Sequence, residues 1–144
     1  MPAAAAQLTV VIAAHNVADF LDVTLTSVLQ QTTRELALVV VLDRCTDDSL
    51  QVARQFARDP RLTIVEAAAG GVSAARNLGL ERVQSPYVLF LDGDDLLALD
   101  AVATFLETFA RHPEAIAIAG GRSKIDRAGP LIEGETGAGR PAVA

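Results

Sequence analysis

Short apolar runs and amphipathic stretches take turns along this chain. Leu8 to Ala14 (LTVVIAA) is almost continuously apolar and rich in β-branched residues, the pattern of a strand buried on both faces. From Val17 to Gln31 the period becomes helical, with Phe20, Leu21, Leu25, Val28 and Leu29 on one stripe. Leu36 to Leu42 (LALVVVL) predicts a second buried strand, and Thr46-Asp47-Asp48 offer N-caps for a helix carrying Leu50, Ala53, Phe56 and Ala57. Leu62 to Glu66 reads as a third strand. The Ala67–Gly71 loop follows, and then a helix from a Ser73 cap to about Val83. Tyr87 to Leu91 (YVLFL) predicts the fourth strand, ending on Asp92-Gly93-Asp94-Asp95. A helix from about Ala98 to His112 carries Val102, Phe105, Leu106 and Phe109, and Ala115 to Ala119 (AIAIA) predicts a fifth strand.

Strand and helix alternate with short connections, so the expected fold is α/β: an open, mostly parallel, Rossmann-like sheet with helices on both faces. The expected organisation is an N-terminal extension over 1–7, a core over 8–120 and a tail over 121–144. In that tail Ser123 to Ile132 suits a hairpin turning at Arg127-Ala128-Gly129, and Glu133 to Ala144 reads as poorly ordered.

Composition narrows the chemistry. With 144 residues the chain favours one domain, and 51% hydrophobic content supplies its core. Twelve basic against eighteen acidic residues leave a charge of −6, which argues against nucleic acid as partner. An acidic protein that binds phosphate needs a metal cation or a local cluster of donors. Cys45 is the only cysteine, compatible with a reducing cytoplasm. Met1 to Gln7 lacks the pattern of a signal peptide, and no apolar run reaches membrane-spanning length.

In a parallel α/β sheet ligands bind outside the carboxyl ends of the strands. Those ends are Ala13-Ala14-His15-Asn16, Asp43-Arg44-Cys45, the Gly70-Gly71 loop and Asp92-Gly93-Asp94-Asp95. On an extended backbone Asp92 and Asp94 face the same side, about 7 Å apart at Cα. Two such carboxylates suit Mg²⁺ or Mn²⁺, with phosphate oxygens and water completing the shell. As a bare triplet, Asp94-Asp95 would also suit a helix start, and Asp95 suits that role best. Asp43 can accept from a base N–H or a ribose hydroxyl, or serve as a turn residue before Thr46. Arg76 and Asn77 lie within reach of the strand ends. His15 reads better as a polar residue closing a strand than as a ligand contact, and Cys45 has no partner for nucleophilic or zinc chemistry.

TVVIAAHN, SVLQQT, LVVVLDRCTDDS, GGVSAARNLGL and YVLFLDGDDLL stand in an order and spacing that closely resembles the family 2 glycosyltransferases, which have the GT-A fold. The resemblance spans about residues 8 to 120. It implies transfer of a sugar from a nucleoside diphosphate donor, usually with inversion. It further implies that Asp43 reads the base and that Asp94 ligates Mg²⁺ or Mn²⁺ on the two phosphates. Asp92 would contact the ribose or the metal shell. Ala14, His15, Asn16, Gly71, Arg76, Asn77 and Gly93 would line the donor site, and the favoured donor is of the UDP type. The acceptor, a glycan, lipid or protein, is unassigned, and a homo-oligomer stays open.

This chain has Ala13-Ala14-His15-Asn16 for the family's P-A-Y-N, and Leu42-Asp43-Arg44-Cys45 for its D-D-G-S. The family's general base lies beyond the fifth strand, and Asp126, Glu133 and Glu135 do not match its context. No catalytic residue is therefore expected within this chain, which reads as the donor half of a cytoplasmic enzyme. A missing segment could bring that enzyme to the inner face of the membrane. The competing readings are a non-catalytic sugar-nucleotide module and, less well matched, a phosphotransferase of the haloacid dehalogenase type.

Overall fold

The computed structural model describes residues 5–68, 70–125, 131–134 and 142–143. The expected hairpin turn at 127–129, Asp126, Glu135 and most of the tail lie outside them.

Residues 1–103 form one compact unit. Its elements are β1 (Leu8–Ala14), α1 (Ala18–Leu29), β2 (Leu36–Asp43), α2 (Ser49–Gln55), β3 (Leu62–Ala67), α3 (Val72–Leu80) and β4 (Tyr87–Asp92), with α4 (Ala101–Arg111) beginning at its end. The four strands make one sheet in the order β3-β2-β1-β4, every pair parallel. Steps from β1 to β2 to β3 run one way, and the step to β4 runs back past β1. Right-handed crossovers therefore put α1 and α2 on one face and α3 on the other.

Each face has its own apolar lining. Leu8, Val10, Ile12 and Ala14 lie in register with Leu36, Leu38, Val40 and Leu42, all of them buried. Leu21, Leu25 and Val28 of α1 are fully buried, which stabilises the fold by about 1.5–3 kcal/mol per side chain. On the other face Val11, Val39, Val41 and Ala67 pack with Ala75 of α3, flanked by Val65, Leu78 and Val83. Gly79 lets α3 settle directly on Val11, where a Cβ would collide with its side chain.

Three local expectations change. Ser73 does not cap α3: Gly71 holds the N-cap position at φ 112°, and Ser73 lies inside the helix. Neither Asp94 nor Asp95 opens α4, which starts at Ala101. The AIAIA segment gives only β5 (Ile118–Ala119). It pairs antiparallel with β8 (Ala142–Val143) and does not join the parallel sheet. Ile116, within that run, is 92% exposed, unlike the residues of a strand buried on both faces.

Residues 104–144 form a second unit with two small antiparallel sheets. One joins β5 to β8. The other joins β6 (Ser123–Ile125) to β7 (Leu131–Gly134), the two arms of the expected hairpin. Among the described residues no helix is long and apolar enough to cross a membrane.

Candidate active site at the carboxyl edge of the sheet

The register places two carboxylates on one face. Val41 of β2, Ala13 of β1 and Asp92 of β4 are in register, and Asp43 stands two residues beyond Val41. Asp43 and Asp92 therefore share the α3 face, with β1 between them. The first turns of α3 reach both. The Gly71 N–H donates to Asp43 Oδ2 over 2.7 Å, and Arg76 pairs with Asp92 Oδ1 at 2.8 Å.

Asp43 is buried at 5% exposure. The Gly71 N–H, then Arg44 and His15, hold its carboxyl below the ordinary carboxylate range, against the opposing effect of burial. Arg44 Nε lies 3.3 Å from Asp43 Oδ1, and its guanidinium fills the space where Gly70 would carry a Cβ. Arg44 has φ 48°, the left-handed region that the resemblance fills with glycine.

The loops after β1 and β2 are stitched together. His15 Nδ1 lies 2.7 Å from the Asp43 carbonyl oxygen, so that nitrogen carries the proton. Asn16, at φ 50°, accepts from the Thr46 N–H at 2.8 Å through its Oδ1. The Asp47 carboxylate accepts from the N–H groups of Ala18 (2.9 Å) and Ser49 (3.0 Å), bracing the starts of α1 and α2. Ser49 Oγ accepts from the Val17 N–H, and Cys45 Sγ lies 3.4 Å from the Ala14 carbonyl. Of the sequence-derived candidates, His15 and Asn16 thus shape the rim. Asn77 is exposed on α3, and Ala14 is buried beneath Gly93.

Asp92-Gly93-Asp94 is not extended. Pairing of β4 with β1 ends at Asp92, and the Asp95 N–H closes a turn onto the Asp92 carbonyl at 3.1 Å. Gly93 is buried; a Cβ there would lie 2.9 Å from Val17 Cγ2 and 3.3 Å from Ala14 Cβ. Asp92 meets Arg76, and both Asp92 and Asp94 are exposed to solvent. Among the described residues no group of three or more His, Cys, Asp or Glu side chains gathers around a cation position. Asp92 ends β4 and Asp94 stands in the turn after it, so a cation held there would have to take most of its ligands from phosphate and water.

The glycosyl transferase family 2 model matches residues 9–134. The chain belongs to that family. GlyA, a glycosyltransferase of Streptococcus pneumoniae serotype 4, is 34% identical over 113 residues, covering 78% of this chain and 16% of GlyA. The uncharacterized glycosyltransferase EpsJ of Bacillus subtilis is 33% identical over 92 residues, 63% of this chain and 27% of EpsJ. This family 2 chain therefore spans well under half the length of those relatives. Among solved structures, Staphylococcus aureus TarS residues 1–349 with UDP-GlcNAc superposes with a TM-score of 0.71 at 22% identity, over 83% of this chain and 34% of TarS. The mannosyltransferase PcManGT of Pyrobaculum calidifontis, solved with GDP-Man and Mn²⁺, gives 0.68 at 26% identity, over 88% and 37%. The family 2 chain thus has the GT-A fold that the resemblance implies, built on the open parallel sheet expected from its strand pattern.

Proposed function

We propose that residues 8–120 form the nucleotide-sugar-binding part of a metal-assisted, inverting glycosyltransferase with a UDP-type donor. One observation carries the reading: Asp43 and Asp92 stand on the same face at the carboxyl edge of the sheet, each held by the start of α3. Likeness to TarS, solved with UDP and UDP-GlcNAc, and to PcManGT, solved with GDP-Man and Mn²⁺, supports a nucleoside diphosphate sugar.

In this reading the ionised Asp43 accepts from the base N–H or a ribose hydroxyl with lone pairs that Gly71 and Arg44 leave over. Arg76 is the local cation that an acidic chain needs near phosphate, turning from Asp92 toward the diphosphate. Asp94, with Asp92 behind it, would hold Mg²⁺ or Mn²⁺. The bound ion would supply Lewis-acid stabilisation of the departing nucleoside diphosphate. The general base that deprotonates the acceptor hydroxyl belongs, in this reading, to a part of the enzyme outside these residues.

Thermal melts test the reading. UDP with Mn²⁺ or Mg²⁺ should raise the melting temperature, as any ligand of the native state does. Asp94→Ala should abolish the metal-dependent part of that shift. No shift in the wild type, or an undiminished one in Asp94→Ala, overturns it.

A further inference from the structure

Thr24, Ser27 and Gln31 follow one another by three and four residues along one stripe of α1 and its end. All three turn polar atoms toward the segment after β4. Thr24 is fully buried, and its Oγ1 donates to the Gly93 carbonyl over 3.0 Å. Ser27 Oγ accepts from the Leu97 N–H at 3.2 Å and donates to the Thr24 carbonyl at 2.7 Å. Gln31, 5% exposed, donates through Nε2 to the carbonyls of Ser27 (3.1 Å) and Ala98 (2.6 Å). Its Oε1 accepts from the Val102 N–H at 2.9 Å. The Thr32 N–H adds a bond to the Leu99 carbonyl at 3.0 Å.

From Gly93 to Asp100 the backbone is neither helix nor strand, so it cannot satisfy its own polar groups by a regular ladder. Side chains of α1 do so instead. Helical Ser and Thr commonly bond back to their own helix; Thr24 reaches out of it. The Gly93 carbonyl belongs to the same planar peptide unit as the Asp94 nitrogen. Pinning that oxygen therefore fixes the plane from which the Asp94 side chain departs. Arg76 grips Asp92 from the α3 face, and Thr24 holds the next peptide from the α1 face.

The geometry points to Thr24, Ser27 and Gln31 as positioning residues that aim Asp94, an inference resting on the metal reading of the Asp92–Asp94 loop. Their hydrogen bonds all go to backbone groups of α1 and of residues 93–102. Their substitution should weaken cation binding while leaving the base end of the site intact.

The test uses the full chain with Mn²⁺ and UDP as probes. Bound Mn²⁺ is followed by electron paramagnetic resonance at saturating UDP. Thr24→Val keeps the shape and removes the donor. It should raise the half-saturating Mn²⁺ concentration about tenfold, the scale of one buried hydrogen bond lost. Excess Mn²⁺ should restore UDP binding, and Thr24→Ser should restore the wild-type titration. Should Thr24→Val fail to fold, Ser27→Ala carries the test, with a rise of about threefold. A folded variant with an unchanged Mn²⁺ titration overturns the inference. So does UDP binding reduced equally at every Mn²⁺ concentration, the mark of a merely structural role. Wild-type protein that binds UDP without Mn²⁺ dependence overturns the metal reading itself, and the inference with it.

Discussion

The amide of Gly71 lies 2.7 Å from Oδ2 of Asp43, joining the first residue of the α3 cap to the end of β2. At φ 112° and ψ 146° Gly71 occupies a region that essentially only glycine adopts. Replacing it with alanine should cost about 1–3 kcal/mol in denaturant unfolding or shift the loop. A shifted loop takes its N–H off the carboxylate, and the Asp43 carboxyl then titrates closer to its ordinary value. Carbon-13 NMR of the carboxyl group reads that change. A Gly71→Ala variant with wild-type stability and an unmoved Asp43 titration would contradict this account.

Gly93 is constrained by space. A Cβ there would press on Val17 and Ala14 at 2.9 and 3.3 Å, so Gly93→Ala should destabilise by about 1–3 kcal/mol. The variant should also lose metal-dependent UDP binding, because relief of the clash moves the loop that carries Asp94. Wild-type melting of Gly93→Ala would show that the loop yields freely.

Arg44 holds a left-handed conformation that costs a non-glycine residue about 1 kcal/mol. Its 3.3 Å contact joins a guanidinium 58% exposed to the buried Asp43 carboxylate, and solvent screening at the exposed partner limits the pair to about 1 kcal/mol or less. Arg44→Gly should therefore leave stability unchanged or raise it by up to ~1 kcal/mol. A loss beyond that, in chemical denaturation, would mean that the contacts of the guanidinium with Asp43 and Gly70 outweigh the backbone strain.

Asp59 and Arg61 form a two-pronged pair just ahead of β3, at the amino-terminal end of that strand and away from the carboxyl edge. Arg61 Nε reaches Oδ1 at 3.0 Å and its terminal nitrogen reaches Oδ2 at 2.8 Å, while the same guanidinium donates to the Leu29 carbonyl at 2.9 Å. Arg61 holds the Asp59 carboxyl below its ordinary value, against the effect of burial. The native state therefore binds that proton less readily than the unfolded chain does. The stabilisation is complete above the unfolded value, near 3.9, and is lost as pH falls through the lowered native value. Wild type should exceed Asp59→Asn by about 1 kcal/mol at neutral pH, with the gap closing below about pH 4. A gap independent of pH would refute the assignment.

The carboxyl-edge position of Asp43 and Asp92 could be read from the sequence because fully buried parallel strands leave unbroken apolar runs, and polar residues mark where those runs stop. The strand order could not, since nothing in LTVVIAA records which neighbours it pairs with. Asn16 shows a different limit. Its type suits a ligand contact and a left-handed turn equally, and only the 2.8 Å bond from Thr46 assigns its oxygen to the loop. Thr24 was hidden for the opposite reason: a buried threonine in a helical stripe reads as packing until its partner, 69 residues away, is known. The turn at Gly93 also escaped the pattern. A D-x-D triplet looks extended when it follows a strand, and the end of the β1 pairing was not visible.

The carboxylate of Asp47 braces two helices at once, accepting from Ala18 at the start of α1 and from Ser49 at the start of α2. With Asn16 bonded to Thr46 and Ser49 to Val17, the two rim loops share their supports. Replacing one loop alone strands an amide in the other. Inheritance should therefore treat residues 15–18 and 44–49 as a matched set. Divergence in these loops would arrive as paired exchanges, and a chimera taking one loop from a relative should need the other to fold as well as its parents.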